Sequence, residues 1–319
     1  MSLDLKEKFY GCLFGGAIGD ALGLGTEFMM PNEISRRYPD GLHDYSQIIR
    51  DAHRSQWDCG DYTNDTEIVV RMIGKICDSG RIDVRDFATA LHEWYLTNPV
   101  DIVPQVRWVV GQADYLEDPI AVANRVWLQM GRHNASNEAL QRAILCGLWE
   151  REDLGQRVEE ICRITHPDTR CIAASTVIAH IANALLLEDR VLSRDEMIQI
   201  ADKIDRRVRP YIEMTDTTDI SDLELADPDT LWYVRKSMAS AIWALRHTES
   251  PAEAIEAVIM AGGDADTNGA LALNLVGMRD GYQALPRHLV DGLLQKSVLD
   301  ETAARFYPIL ERHIGNTAH

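Results

Sequence analysis

Wherever apolar residues form a pattern in this chain, they recur at helical spacing. Val69, Met72, Ile73 and Ile76 fall on one helical face, and Phe87, Leu91 and Trp94 on another. From Ile172 onward, Val177, Ile178, Ile181, Leu185 and Leu186 occupy every side of a helix, which predicts a fully buried one. Helix starts are equally well marked. Ser193 and Glu196 have capping-box spacing, and Asp83 caps the helix carrying Phe87. Ser250, Pro251 and Glu253 supply a cap, a first-turn proline and a box acid. Period-2 strands and hairpins flanked by alternation are missing. The expectation is an all-α fold: residues 1–319 as one domain, a compact multi-helix orthogonal bundle with long loops near 28–62, 97–135 and 206–230.

Two of these helices carry small residues at helical spacing. The first holds Gly11, Gly15, Gly16, Ala17, Gly19, Ala21 and Gly23; the second holds Gly269, Ala270, Ala272 and Gly277. Each helical glycine costs about 1 kcal/mol relative to alanine. Repeating that cost predicts a close backbone crossing, which would bring Glu27, after the first helix, near the start of the second.

Both helical regions adjoin oxygen-rich boxes. The first box is Thr63-Asn64-Asp65-Thr66, which opens an apolar helix. A helix cap needs one such side chain, not four in a row. The second box is Gly262-Gly263-Asp264-Ala265-Asp266-Thr267. Asp264, Asp266, Asn268 and Gly269 match the opening of an EF-hand loop, but the twelfth position is Leu275, so that loop is rejected. Hydroxyl, amide and carboxylate oxygens suit a hard cation such as Mg²⁺, Ca²⁺ or Mn²⁺. Neither box holds one well alone, so each needs the other.

The net charge of −18 disfavours nucleic acid and anionic membrane surfaces as partners. The cysteines form no CxxC pair and suit a reducing compartment. The sequence shows no signal peptide, and no apolar stretch of bilayer-spanning length is read in it. A cytoplasmic protein is expected.

Taken in order, the segments resemble the ADP-ribosylglycohydrolase family. The resemblance rests on Gly15-Gly16-Ala17-Ile18-Gly19-Asp20-Ala21-Leu22-Gly23 with Glu27, on Thr63-Asn64-Asp65-Thr66, on Thr165-His166, and on Gly262-Gly263-Asp264-Ala265-Asp266-Thr267. It implies about a dozen helices and two Mg²⁺ ions, with Mn²⁺ as a substitute. The implied ligands are Glu27, Thr63, Asn64, Asp65, Asp264, Asp266 and Thr267. The implied reaction is hydrolysis of an N- or O-glycosidic bond between ADP-ribose and a protein side chain or small acceptor. Asp65 and Glu27 would handle protons, and His166, Ser136 and Asn137 would bind substrate.

Two residues depart from the family pattern. Asn64 stands where a carboxylate is usual, so one metal site is expected to be weak. Glu138 stands where glycine is usual, and a carboxylate there repels a diphosphate. These departures favour two alternatives: a non-catalytic ligand-binding relative, or a hydrolase of a different ribosyl substrate.

Overall fold

The computed structural model describes residues 3–317. They form α1 (Leu5–Gly23), α2 (Pro31–Arg37), α3 (Asn64–Ser79), α4 (Val84–Leu96), α5 (Pro104–Val110), α6 (Pro119–Gln129), α7 (Leu140–Trp149) and α8 (Leu154–Arg163). The chain continues through α9 (Thr169–Glu188), α10 (Arg194–Asp202), α11 (Arg209–Met214), α12 (Val234–His247), α13 (Pro251–Met260), α14 (Ala265–Asp280), α15 (Arg287–Gly292) and α16 (Lys296–Thr317). Among the described residues there is no strand, only an antiparallel bridge between Ser136 and Tyr233. The fold is all-α, as the periodicity predicts.

The glycines of α1 and α14 do what their spacing predicts. A Cβ on Gly11 would overlap the Gly277 carbonyl, and one on Gly23 would overlap that of Ala265. Midway, a Cβ on Gly269 would lie 2.6 Å from the Gly19 carbonyl oxygen. The two helices therefore touch backbone to backbone along their length. Asn274 adds a lateral tie, donating to the Cys12 carbonyl at 2.8 Å. The crossing sets the start of α14 beside the end of α1.

The expected caps form. Asp83 accepts from the backbone of Arg85 and Asp86, Ser193 and Glu196 close a capping box, and Ser250 accepts from the Glu253 N–H. Helix α9 is buried on nearly every side. Lys8 reaches its C-terminal end, where its ammonium donates to the carbonyls of Leu185 (2.9 Å) and Leu186 (3.0 Å).

Two expectations need correction. None of the stretches 28–62, 97–135 and 206–230 is one long loop, because they contain α2, α5 with α6, and α11, each a short helix with a proline in its first turn. Asp118 caps α6 through the Ala121 N–H. Helix α9 is also long and apolar enough to cross a membrane by length and composition, although 78% of that window is buried inside the protein.

Candidate functional site

The first box opens α3, with Thr63 as its N-cap. The capping work is done largely from another helix. Asp20, on α1, accepts from the Thr63 N–H (2.9 Å), the Thr66 N–H (2.9 Å) and the Thr66 hydroxyl (2.6 Å). This leaves the other oxygens of the box free for a different task. Asp65 is buried, and its Oδ2 has no hydrogen-bond partner. Asn64 lines an adjoining cavity, and its Oδ1 accepts from the Thr63 hydroxyl at 3.1 Å.

The second box turns on Gly262 and Gly263, with φ of 71° and 73°, a conformation that favours glycine. Its backbone is pinned to the turn after α1: the Phe28 N–H donates to the Gly263 carbonyl at 2.7 Å, and the Gly263 N–H to the Met29 carbonyl at 3.3 Å. Asp264, Asp266 and Thr267 are buried at the start of α14. Asn137 donates through Nδ2 to the Asp264 carboxylate at 2.5 Å and to the Ser237 hydroxyl at 2.8 Å.

Glu27 lies in the pinned turn. Its Oε2 is 2.6 Å from Nε2 of His53, and Arg54 donates to its backbone carbonyl. One carboxyl oxygen each from Glu27, Asp266 and Asp101 lie within 4.8 Å of one another. Asp101 comes from the loop before α5 and was missed in the sequence. Its one signal is a lone acid in the otherwise apolar stretch between Pro99 and Pro104. Asp20 was also missed as a site-building residue, although an acid among Gly19, Ala21, Leu22 and Gly23 is conspicuous on a buried helix.

Burial raises the pKa values of the aspartates here, and repulsion from neighbouring acids adds to it for Asp65, Asp101, Asp264 and Asp266. Asp20 is pushed up to about 6, Asp101 to about 7 and Asp264 to about 8. Asp65 and Asp266 are raised well above the usual aspartate value by burial and then by neighbouring acids. Among the described residues, no lysine or arginine forms an ion pair with Glu27, Asp65, Asp101, Asp264 or Asp266. Buried carboxylates without counter-charge are costly, and such a set can be neutralised by protons or by a cation. The orphaned Asp65 Oδ2 and the hard oxygen donors fit a divalent ion.

Above the cluster opens a cavity of about 340 Å³. Glu27, Asn64, Asp101 and Asp264 line it together with Ser136, Asn137 and Glu138. Phe28 and Trp232 stand exposed at its rim, ring centroids 5.8 Å apart and edge to face. Among the described residues, no lysine or arginine lines it.

His166 is fully buried and lies behind this wall. Arg142 donates to the Thr165 hydroxyl and to His166 Nδ1, the latter at 3.4 Å. Nδ1 is therefore an acceptor and Nε2 carries the proton. That proton is donated to Glu138 Oε2 at 2.7 Å, with Ser136 Oγ 3.1 Å away. Burial holds the His166 pKa below the ordinary histidine value, so the ring is neutral and Glu138 is an anion.

This arrangement of helices and acids has known counterparts. Residues 1–315 match the ADP-ribosylglycohydrolase family, and the chain belongs to it. It is thus a glycosidic-bond hydrolase of that family. It is 25% identical over 293 residues to an ADP-ribosyl-[dinitrogen reductase] glycohydrolase from Rhodospirillum rubrum, covering 88% of each chain. It is 23% identical over 315 residues to an ADP-ribosylarginine hydrolase from Serratia proteamaculans, covering 94% of this chain and 79% of the relative. A solved structure described as an ADP-ribosylglycohydrolase-related protein complex shares the fold, with a TM-score of 0.75 at 19% identity, over 96% of this chain and 99% of the other.

Proposed function

We propose that the chain is a divalent-metal-dependent hydrolase that cleaves the N- or O-glycosidic bond between ADP-ribose, or a related ribosyl group, and an acceptor. The observation that carries this reading is the meeting of Glu27, Asp101 and Asp266 within 4.8 Å beside a cavity that Glu27 and Asp101 line, with no lysine or arginine paired to them among the described residues. Residues 1–319 act as one domain in this reading, since the boxes at 63–66 and 262–267 lie far apart in the sequence and supply one site.

Mg²⁺ is the proposed ion and Mn²⁺ a substitute, held by Glu27, Thr63, Asn64, Asp65, Asp264, Asp266 and Thr267. A divalent ion held there would supply orientation of the ribose hydroxyls and a lowered pKa for a water. The protein supplies the rest. Glycoside cleavage develops positive charge at the anomeric carbon, and the carboxylates facing the cavity stabilise it. As water bonds to the anomeric carbon and the glycosidic bond breaks, Asp65 or Glu27 takes the proton the water releases and passes it to the departing nitrogen or oxygen of the acceptor. His53 holds one oxygen of Glu27, leaving the other to face the site. Asn137 fixes Asp264 by its bond at 2.5 Å. The faces of Phe28 and Trp232 at the rim can receive a flat group.

The relatives' names point to a protein acceptor, an arginine side chain in one case. The test incubates the protein and an Asp266→Ala variant with ADP-ribosyl-arginine, ADP-ribosyl-serine, O-acetyl-ADP-ribose and simple ribofuranosides, with Mg²⁺ or EDTA. Metal-dependent release of ADP-ribose or ribose, lost in the variant, is expected. Release from none of them, or equal release with EDTA, sinks the reading.

A further inference from the structure

We propose that a second, larger groove, next along the chain from the catalytic cavity, docks a basic segment of the acceptor protein. The acceptor's part in this rests on the proposed glycosidic hydrolysis; the groove itself does not.

The groove holds about 1210 Å³ and is formed by three stretches of chain: 30–41 with α2, 220–228 before α12, and 256–261 at the end of α13. Its apolar lining includes Tyr38 and Leu225, both buried, Met260, half-buried, and Met30, which is 44% exposed. Asp40, Glu224, Asp227 and Glu256 bring carboxylates from all three stretches. Among the described residues, no lysine or arginine contributes to the lining. Lys236 answers one of these acids: its ammonium lies 3.5 Å from the Asp227 carboxylate and donates to the Glu224 carbonyl at 2.5 Å. Arg37, on α2, is paired with Glu33 at 3.4 Å. Asp40, Glu224 and Glu256 form no ion pair among the described residues.

Shape and charge together select the occupant. Pockets for small molecules span roughly 300–1,000 Å³, so this groove has room for something larger. Apolar lining beside exposed polar groups is the composition of a protein docking surface. Methionine suits such a surface because its flexible thioether chain adapts to what it meets. Unpaired carboxylates repel nucleic acid, phosphorylated peptides and anionic lipid, and attract lysine and arginine. A second copy of this chain, at a net charge of −18, is repelled as well. The occupant is therefore a peptide segment with basic side chains and apolar ones between them.

The groove shares backbone with the catalytic site. Phe28 lines the cavity, and Met30, just beyond it in the same turn, lines the groove. The Gly263 carbonyl accepts from the Phe28 N–H, and a Cβ on Gly263 would overlap the Leu225 carbonyl. A chain held in the groove keeps its neighbouring residues near the cavity, which raises their local concentration there. Docking thus favours a modified residue carried close to a basic stretch over the same residue as a free amino acid.

The first measurement is binding. A short fluorescent peptide rich in arginine and leucine is titrated with the protein, beside one with glutamate for arginine and one with serine for leucine. The first should bind at least about 10-fold tighter than either control and weaken as salt is raised. Glu224→Asn combined with Glu256→Gln should weaken it about 10-fold. Asparagine tolerates the left-handed backbone of Glu224, whose φ is 49°. Met260→Ser should weaken it without a change of charge, and circular dichroism confirms that each variant is folded. The second measurement places ADP-ribose, on the acceptor residue that the preceding test finds cleaved, within the arginine- and leucine-rich peptide. With Mg²⁺, this peptide should be cleaved with at least about 10-fold higher kcat/KM than the free modified amino acid. The groove variants should erase that advantage through KM and leave cleavage of the free compound unchanged.

No peptide binding, or equal binding by the natural protein and every folded variant, overturns the groove. A concentration-dependent dimer that Met260→Ser abolishes, with no peptide bound, assigns the groove to a second copy and overturns the proposal. Groove binding without faster cleavage, or cleavage confined to O-acetyl-ADP-ribose and simple ribofuranosides, overturns the acceptor's part. Cleavage of no compound, with groove binding intact, brings down the hydrolase reading and the acceptor's part with it, and leaves a docking groove for a basic peptide.

Discussion

Asp20 and Thr66 are joined twice: the same carboxylate oxygen accepts from the Thr66 N–H at 2.9 Å and from its hydroxyl at 2.6 Å. With the Thr63 N–H on the other oxygen, one side chain of α1 caps α3 from across the core. Asp20→Ala would strand these donors in a buried place, at about 1–3 kcal/mol each before relaxation. Urea denaturation should show a loss of at least about 2 kcal/mol. A loss below about 0.5 kcal/mol would mean that the cap contributes little.

Asp266→Asn should stabilise the protein without metal and abolish stabilisation by metal. Removing one charge relieves repulsion from Glu27, Asp264, Asp65 and Asp101, which together with burial raises this carboxyl's pKa. Thermal melts should show a higher Tm than the natural protein in EDTA and no further rise with Mg²⁺. Activity should fall about 100-fold or more, the loss of a metal ligand removing charge stabilisation as well as water activation. A variant that is less stable in EDTA would contradict the repulsion argument.

The metal-free protein should lose stability as pH rises. Asp101 and Asp264 keep their protons up to about pH 7 and about pH 8 in the folded state. Unfolded aspartates release theirs near pH ~4, so the folded state binds more protons between these limits. The stabilisation is complete below the unfolded value and disappears as pH passes through the folded ones. Tm in EDTA should therefore fall from about pH 5 to about pH 8, and saturating Mg²⁺ should flatten or reverse that slope.

Asn64→Asp should tighten one metal site. Asn64 offers a metal only a neutral amide oxygen, and its Oδ1 already accepts from the Thr63 hydroxyl. Calorimetry on the natural protein should resolve one tight and one weak Mg²⁺ site, and the variant should strengthen the weak one about 10-fold. Two equally tight sites, unchanged by the substitution, would refute this.

Gly269→Ala should damage fold and site together. Its Cβ would lie 2.6 Å from the Gly19 carbonyl oxygen, and backbone cannot step aside as a side chain can. Overpacking of this kind costs about 1–3 kcal/mol, and Mg²⁺ affinity should fall with it because α14 carries Asp266. Denaturation and metal titration of the same variant check both halves.

The sequence discloses the helices and the α1–α14 crossing because both depend on periodic, local signals. Gly11, Gly19, Gly269 and Gly277 are legible since glycine at helical spacing has few other uses. The boxes are legible because their oxygens exceed what one cap needs. Asp101 is not, since a loop acid shows no period and only the fold brings it to Glu27. Asp20 lies inside a quoted motif, but its partners Thr63 and Thr66 are far along the chain. The Glu138–His166 bond was hidden for the same reason: the sequence shows a missing glycine, not where the new carboxylate points.

The crossing of α1 and α14 also governs when this protein can become active during its own synthesis. The first box leaves the ribosome early, whereas Asp264 and Asp266 follow only after most of the chain. Until then the groove between Gly11 and Gly23 has nothing to fill it, and Glu27 has no opposite wall. No nascent fragment ending before α14 can bring Asp266 to Glu27 and Asp101. A truncated product would be left with an open apolar groove along α1, the kind of surface that chaperones and proteases recognise.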